Sequence, residues 1–116
     1  MVNASELLQT WVNAIKNGDP KQVTSLYHQD GILLGTFSAA ERVGHELILE
    51  YFENLLKNPV EVDVISEHPH DFESSAVNSG LYNFVTGGKT INARFSFVYD
   101  ADGKIVSHHS SILPET

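Results

Sequence analysis

Residues 91–114 read INARFSFVYDADGKIVSHHSSILP, and the fold of the chain turns on them. Ile91, Ala93, Phe95, Phe97 and Tyr99 alternate with Asn92, Arg94, Ser96 and Val98, the period-2 signature of a strand. Asp102-Gly103 is a turn signal that reverses the chain. The return strand spans 104–113 and carries the polar run His108-His109-Ser110-Ser111. One face of this hairpin is apolar, and the residues by themselves assign Phe95, Phe97 and Tyr99 to a core. The other face carries an arginine, an asparagine, serines and imidazoles, which either meet water or line a cavity.

Further strands precede the hairpin. Val60, Val62 and Val64 alternate with acids, and a second run spans 75–85. Between them His68-Pro69-His70-Asp71 reads as a polar bend, because proline interrupts a ladder. Gly87-Gly88 is a hairpin turn. The first half of the chain is helical. Leu7, Leu8, Trp11, Val12 and Ile15 share one face of a helix over 3–17, which Asn3 or Ser5 caps and Gly18 follows. Asp19-Pro20 opens a short second helix with Val23, Leu26 and Tyr27 on its apolar side. Asp30-Gly31 is a turn, Ile32–Leu34 a short strand and 35–40 a loop of small residues. A third helix over 44–57 buries Leu47, Ile48, Tyr51, Phe52, Leu55 and Leu56, and Asn58-Pro59 ends it. Helices first and a meander after predict one α+β domain over 1–116, with three N-terminal helices on one face of a curved antiparallel sheet.

The 116 residues suffice for one core, and 15 acids against 7 bases leave a net charge of -8. Such a surface repels nucleic acid and anionic membranes, so neither is an expected partner. Cysteine is absent, which removes disulfides, thiol nucleophiles and Cys-based metal sites and fits a reducing compartment. The start MVNASELLQT has no basic segment followed by an apolar one, and no apolar run approaches the length of a membrane span. A cytoplasmic protein without a cofactor is expected.

The segments 25–27, 33–38, 42–44, 48–52, 79–84 and 93–99, with the closing HHSSILPE of 108–115, resemble bacterial stand-alone relatives of the calcium/calmodulin-dependent protein kinase II association domain. These belong to the nuclear transport factor 2-like superfamily, with ketosteroid isomerase and the SnoaL-like cyclases. The resemblance implies a cystatin-like cone, a curved sheet wrapped around the first helix with a pocket at its open end. It also implies that Arg94 points into that pocket. The aromatic side of the same strand, Phe95, Phe97 and Tyr99, then becomes a convex face covered by a second subunit in a homodimer or larger ring.

On that reading the ligand-binding candidates are Arg94, His109, Ser96, Asn92, Tyr82 and Ser111, with Tyr51 and Trp11 as core residues that double as pocket wall. A guanidinium in a small cavity suits a carboxylate. Neighbouring residues on a strand face opposite ways, so His109 is chosen over His108 to share the cavity. An imidazole there is a weak candidate for a general base beside Arg94, or else a hydrogen-bonded brace. Isomerase chemistry needs a carboxylate in the cavity. The cavity-facing candidates Asn92, Ser96, Asn78 and Tyr82 include none, while Glu41, Glu46, Asp30 and Asp63 fall on turns, helix surfaces or strand edges. His68-x-His70-Asp71 has metal-ligand spacing, to which His28 and Asp30 could add, but the bend at Pro69 makes a solvated loop the preferred reading, and no metal is expected. The leading function is a non-catalytic homo-oligomeric domain that binds a small anionic ligand. The alternatives are a cyclase, isomerase or dehydratase using His109 and Arg94, and a purely structural assembly domain.

Overall fold

The computed structural model describes residues 2–115. Helix α1 spans Ala4–Asn17; the Asn3 side chain accepts from the Glu6 N–H at 3.0 Å, and Gly18 closes the helix in the left-handed region at φ 76°. Helix α2, Pro20–Thr24, is capped by Asp19, and α3 covers His45–Leu55. The strands are β1 Tyr27–Leu34, β2 Arg42–Val43, β3 Glu61–Asp71, β4 Ala76–Thr86, β5 Lys89–Tyr99 and β6 Ile105–Ile112, in the spatial order β2-β1-β6-β5-β4-β3. Among the described residues, no helix is long and apolar enough to cross a membrane.

Four features differ from the expectation, the first being that Tyr27 and Asp30-Gly31 belong to β1 rather than to the second helix and a turn. The sheet is mixed, because β1 pairs in parallel with β6 while every other pair is antiparallel. Parallel neighbours need a long crossover, and the chain supplies one through β2, α3 and the β3–β5 meander. The two-residue β2 is too short to show a period. His68-Pro69-His70-Asp71 is not a bend but the end of β3, in register with Ser79, Asn78, Val77 and Ala76. β3 is an edge strand, where the missing proline N–H costs no ladder bond.

The curvature has a visible origin. The β3–β4 register shifts between Val64 and Ser66, a bulge that pushes Ile65 out to 59 % exposure. Opposite it stands Gly80, where a Cβ would run into the Ser66 carbonyl oxygen. The sheet thus bends around a place where two backbones touch. The concave face takes α1: the Trp11 ring stacks on Tyr82 at 5.8 Å and meets Phe97 edge-on at 5.3 Å. The Asp71 carboxylate accepts from the Ala4 N–H at 2.8 Å, tying the end of β3 to the start of α1.

The hairpin settles which face is inside. Phe95, Phe97 and Tyr99 are 4 %, 0 % and 1 % exposed and pack against α1 and the neighbouring strands. They are core, as the alternation indicates, and cannot serve as the oligomer contact that the resemblance suggested. Asn92, Arg94 and Ser96 lie exposed on the outer face, away from the interior. Three packed aromatic rings outweigh an arginine for the concave position, since burying an unpaired guanidinium costs several kcal/mol, on the order of 3 or more.

Gly80→Ala should destabilise the fold by about 1–3 kcal/mol, the range of overpacking. Urea denaturation of the two proteins checks this; a change under about 0.5 kcal/mol, typical of a tolerant surface site, would show that the bulge does not depend on the glycine.

Candidate functional site

The concave interior holds a chain of polar side chains threaded through aromatic rings. The Trp11 Nε1–H donates to the Tyr27 hydroxyl at 3.2 Å. An indole can only donate, so the Tyr27 oxygen accepts and its own proton goes to His108 Nδ1, 2.7 Å away. That assigns the His108 proton to Nε2, which donates to the Tyr82 hydroxyl at 3.1 Å. Tyr82 in turn donates to Ser110 Oγ at 2.6 Å, and Ser110 shares a 2.5 Å hydrogen bond with Thr36. Donors and acceptors match along the whole run.

His108 is 2 % exposed and lies on the Phe97 ring, with centroids 3.9 Å apart. Burial, and secondarily the neighbouring His109, lower its pKa to about 3. The Tyr82 and Tyr27 hydroxyls are raised by the same burial, so the network stays protonated as drawn. An enclosed imidazole of this kind, with both nitrogens paired to tyrosine hydroxyls, braces strands.

The residues expected in a pocket are therefore divided. Tyr82, Trp11 and Tyr51 are interior, each packed as core. Arg94, Ser96, Asn92 and His109 face outward, and Arg94 Nε reaches Ser111 Oγ at 3.4 Å on the exposed face. The choice of His109 for the cavity is corrected to His108, because β6 is in register with β5 so that His108 opposes Phe97 and His109 opposes Ser96. His109 and Ser111 line an open cleft of about 350 Å³ against Leu34, Thr36 and the 38–40 loop, but Arg94 is not part of its lining, so the catalytic pair proposed from the resemblance does not share one cavity. Among the described residues, the buried polar side chains are Thr24, Asn78, His108 and Ser110, and none is a carboxylate.

A cleft of about 300 Å³ opens instead between the 35–40 loop, the end of α3 and the end of β4. Its lining includes Phe37, Ser38, Arg42, Tyr51, Asn58 and Thr86. The Arg42 side chain is 13 % exposed; Nη1 donates to the half-exposed Glu50 at 2.7 Å and Nε to Ser38 Oγ at 3.2 Å. The Tyr51 hydroxyl accepts from the Phe37 N–H at 3.4 Å, and burial raises its pKa to about 12, so it keeps its proton to donate. Gly35 makes room for the Tyr51 ring, which a Cβ would strike. Neither Arg42 nor Glu50 stands out in the sequence, because no periodic spacing links a two-residue strand to the middle of a helix.

A match to the calcium/calmodulin dependent protein kinase II association domain extends over residues 3–114. The chain is similar to a Xanthomonas campestris protein described as such an association domain: 37% identity, 97% of this chain and 86% of that one, TM-score 0.89. An NTF2-like protein of unknown function from Pseudomonas putida superposes with a TM-score of 0.84 at 16% identity, covering 97% and 85% of the two chains. A protein described as a dehydratase of the NTF2-like family, from Streptomyces avermitilis, does so at 0.84 and 16% identity over 96% and 94%. No curated protein matches.

Above pH 6.5 His108 is neutral in both folded and unfolded chains and adds no pH dependence. Below it the unfolded chain binds a proton that the folded one refuses, so stability falls by up to about 1.4 kcal/mol per pH unit, ending near pH 3. Denaturation at pH 7, 5.5 and 4.5 should show this extra acid loss in the wild type and not in His108→Gln. Parallel pH profiles would disprove it.

Proposed function

This chain belongs to the calcium/calmodulin dependent protein kinase II association domain family, and from that premise we propose that it is a self-associating domain whose outer sheet face meets a second copy. The carrying observation is the composition of that face. By strand register, Val77, Val98 and Ser107 form one row across β4, β5 and β6. Ser79, Ser96 and His109 form the next, and Leu81, Arg94 and Ser111 the third. Aliphatic, hydroxyl and basic groups are interleaved, with Val77, Leu81 and Val98 half-buried and no acid in the three rows. These carboxylate-free rows, with Asp63 and Glu61 lying on the same face only further along β3, give an acidic protein a surface suited to close packing against its own copy, since an isologous contact must tolerate each residue twice. All three helices pack on the other side of the sheet or at its β1 end, leaving these rows to a partner.

The ligand expected from the sequence moves with the arginine. We place it in the Arg42 cleft rather than beside Arg94. Support comes from the donors there: Arg42 Nη2 has no protein acceptor among the described residues, and the Tyr51 and Ser38 hydroxyls lie alongside. A donor-rich cleft with Phe37 as an apolar wall fits a small carboxylate.

Sedimentation velocity at micromolar concentration should give a dimer or larger ring for the wild type. Leu81→Asp with Val98→Asp should give a folded monomer by circular dichroism. A wild-type monomer would refute the assembly. For the cleft, benzoate and succinate at millimolar concentration should raise the melting temperature of the wild type but not of Arg42→Met; equal shifts in both would place the anion elsewhere.

A further inference from the structure

The end of β3 presents two imidazoles side by side. His68 and His70 are alternate residues of one strand, opposite Ser79 and Val77, and so project from the same outer face. Both are exposed, and neither ring has a hydrogen-bond partner among the described residues. The backbone carrying them is held: the His68 N–H donates to Asn78 Oδ1 at 3.1 Å, and buried Asn78 is itself fixed to Glu67 at 3.0 Å. Pro69 between them locks its own φ. The proline that argued against a metal in the sequence thus stiffens a straight strand and leaves the two rings on one side of it.

Among the described residues, no three ligating side chains converge within one chain. The register supplies a third from outside. His68, Ser79, Ser96 and His109 form one continuous row across β3, β4, β5 and β6. In the outer-face dimer proposed above, a two-fold axis parallel to the strands and midway between β4 and β5 would lay β3 of one copy over β6 of the other. His68 and His70 then come over His109 of the second copy. We infer that these three histidines form a transition-metal site across the self-association face, two sites per dimer, with zinc as the fitting ion. Three imidazoles and a remaining position for water suit tetrahedral zinc. The net charge of -8 draws cations to the surface. The site rests on the outer-face association proposed above.

Untagged protein stripped with EDTA is titrated with zinc chloride by calorimetry, with sedimentation velocity on the same samples. Two zinc ions per dimer are expected, with affinity lowered at least tenfold by His68→Ala, His70→Ala or His109→Ala, and no uptake of magnesium. All three positions are exposed, so circular dichroism should be unchanged. A dimer that takes up no zinc overturns the metal site and leaves the interface standing. Zinc uptake insensitive to His109→Ala overturns the cross-chain ligand. A monomer at every zinc concentration overturns the interface and the site together.

Discussion

The hydrogen bonds that hold His108 between Tyr27 and Tyr82 decide the orientation of everything around them. A strand offers two phases, and a shift of one residue turns every side chain to the opposite face. His108 in the interior, in contact with Phe97, puts Ser110 inside and His109 and Ser111 outside. The partner strand follows, with Phe95, Phe97 and Tyr99 in and Asn92, Arg94 and Ser96 out. A buried imidazole with both nitrogens paired is stable in one position only. Half-satisfied, it would leave a tyrosine hydroxyl stranded in an aromatic core.

The interior that results is occupied. Trp11, Tyr82, Phe95, Phe97 and His108 form a chain of ring contacts with successive centroids less than 6 Å apart along the concave face. A protein described as a dehydratase of the NTF2-like family shares this fold at a TM-score of 0.84. Fold alone does not carry function. Here the polar groups around His108 are spent on each other, the buried Tyr99 hydroxyl has no hydrogen-bond partner among the described residues, and the rest of the unspent chemistry lies at the surface: the Arg42 cleft, and the outer rows with Arg94, His109, His68 and His70.

The two regions depend on one backbone device. The bulge at Ile65 and the absent side chain of Gly80 bend β3 and β4 around α1. Without that bend Asp71 would not reach the Ala4 N–H, and the end of β3 would not run straight alongside β4. Curvature on the inner side and a regular ladder of rows on the outer side are one structural fact.

Much of this was legible in the residues. The α1 stripe, the Asn3 and Asp19 caps, the Gly87-Gly88 and Asp102-Gly103 turns and the period-2 run of 91–99 are local signals, because propensity, capping and alternation act over a few residues. They placed the α+β order and assigned the Phe95 face to the core; the resemblance then argued the opposite for Arg94, and burial decides for the residues. The tertiary structure alone determined the rest. Whether His108 or His109 turns inward depends on partners 81 and 26 residues away in sequence. Pro69 reads as a break until β3 is known to be an edge strand. The parallel β1–β6 pair and the Arg42–Glu50 contact also join segments with no local pattern in common. Local sequence sets which side chains share a face; only the closing of the sheet around α1 settles which face is buried.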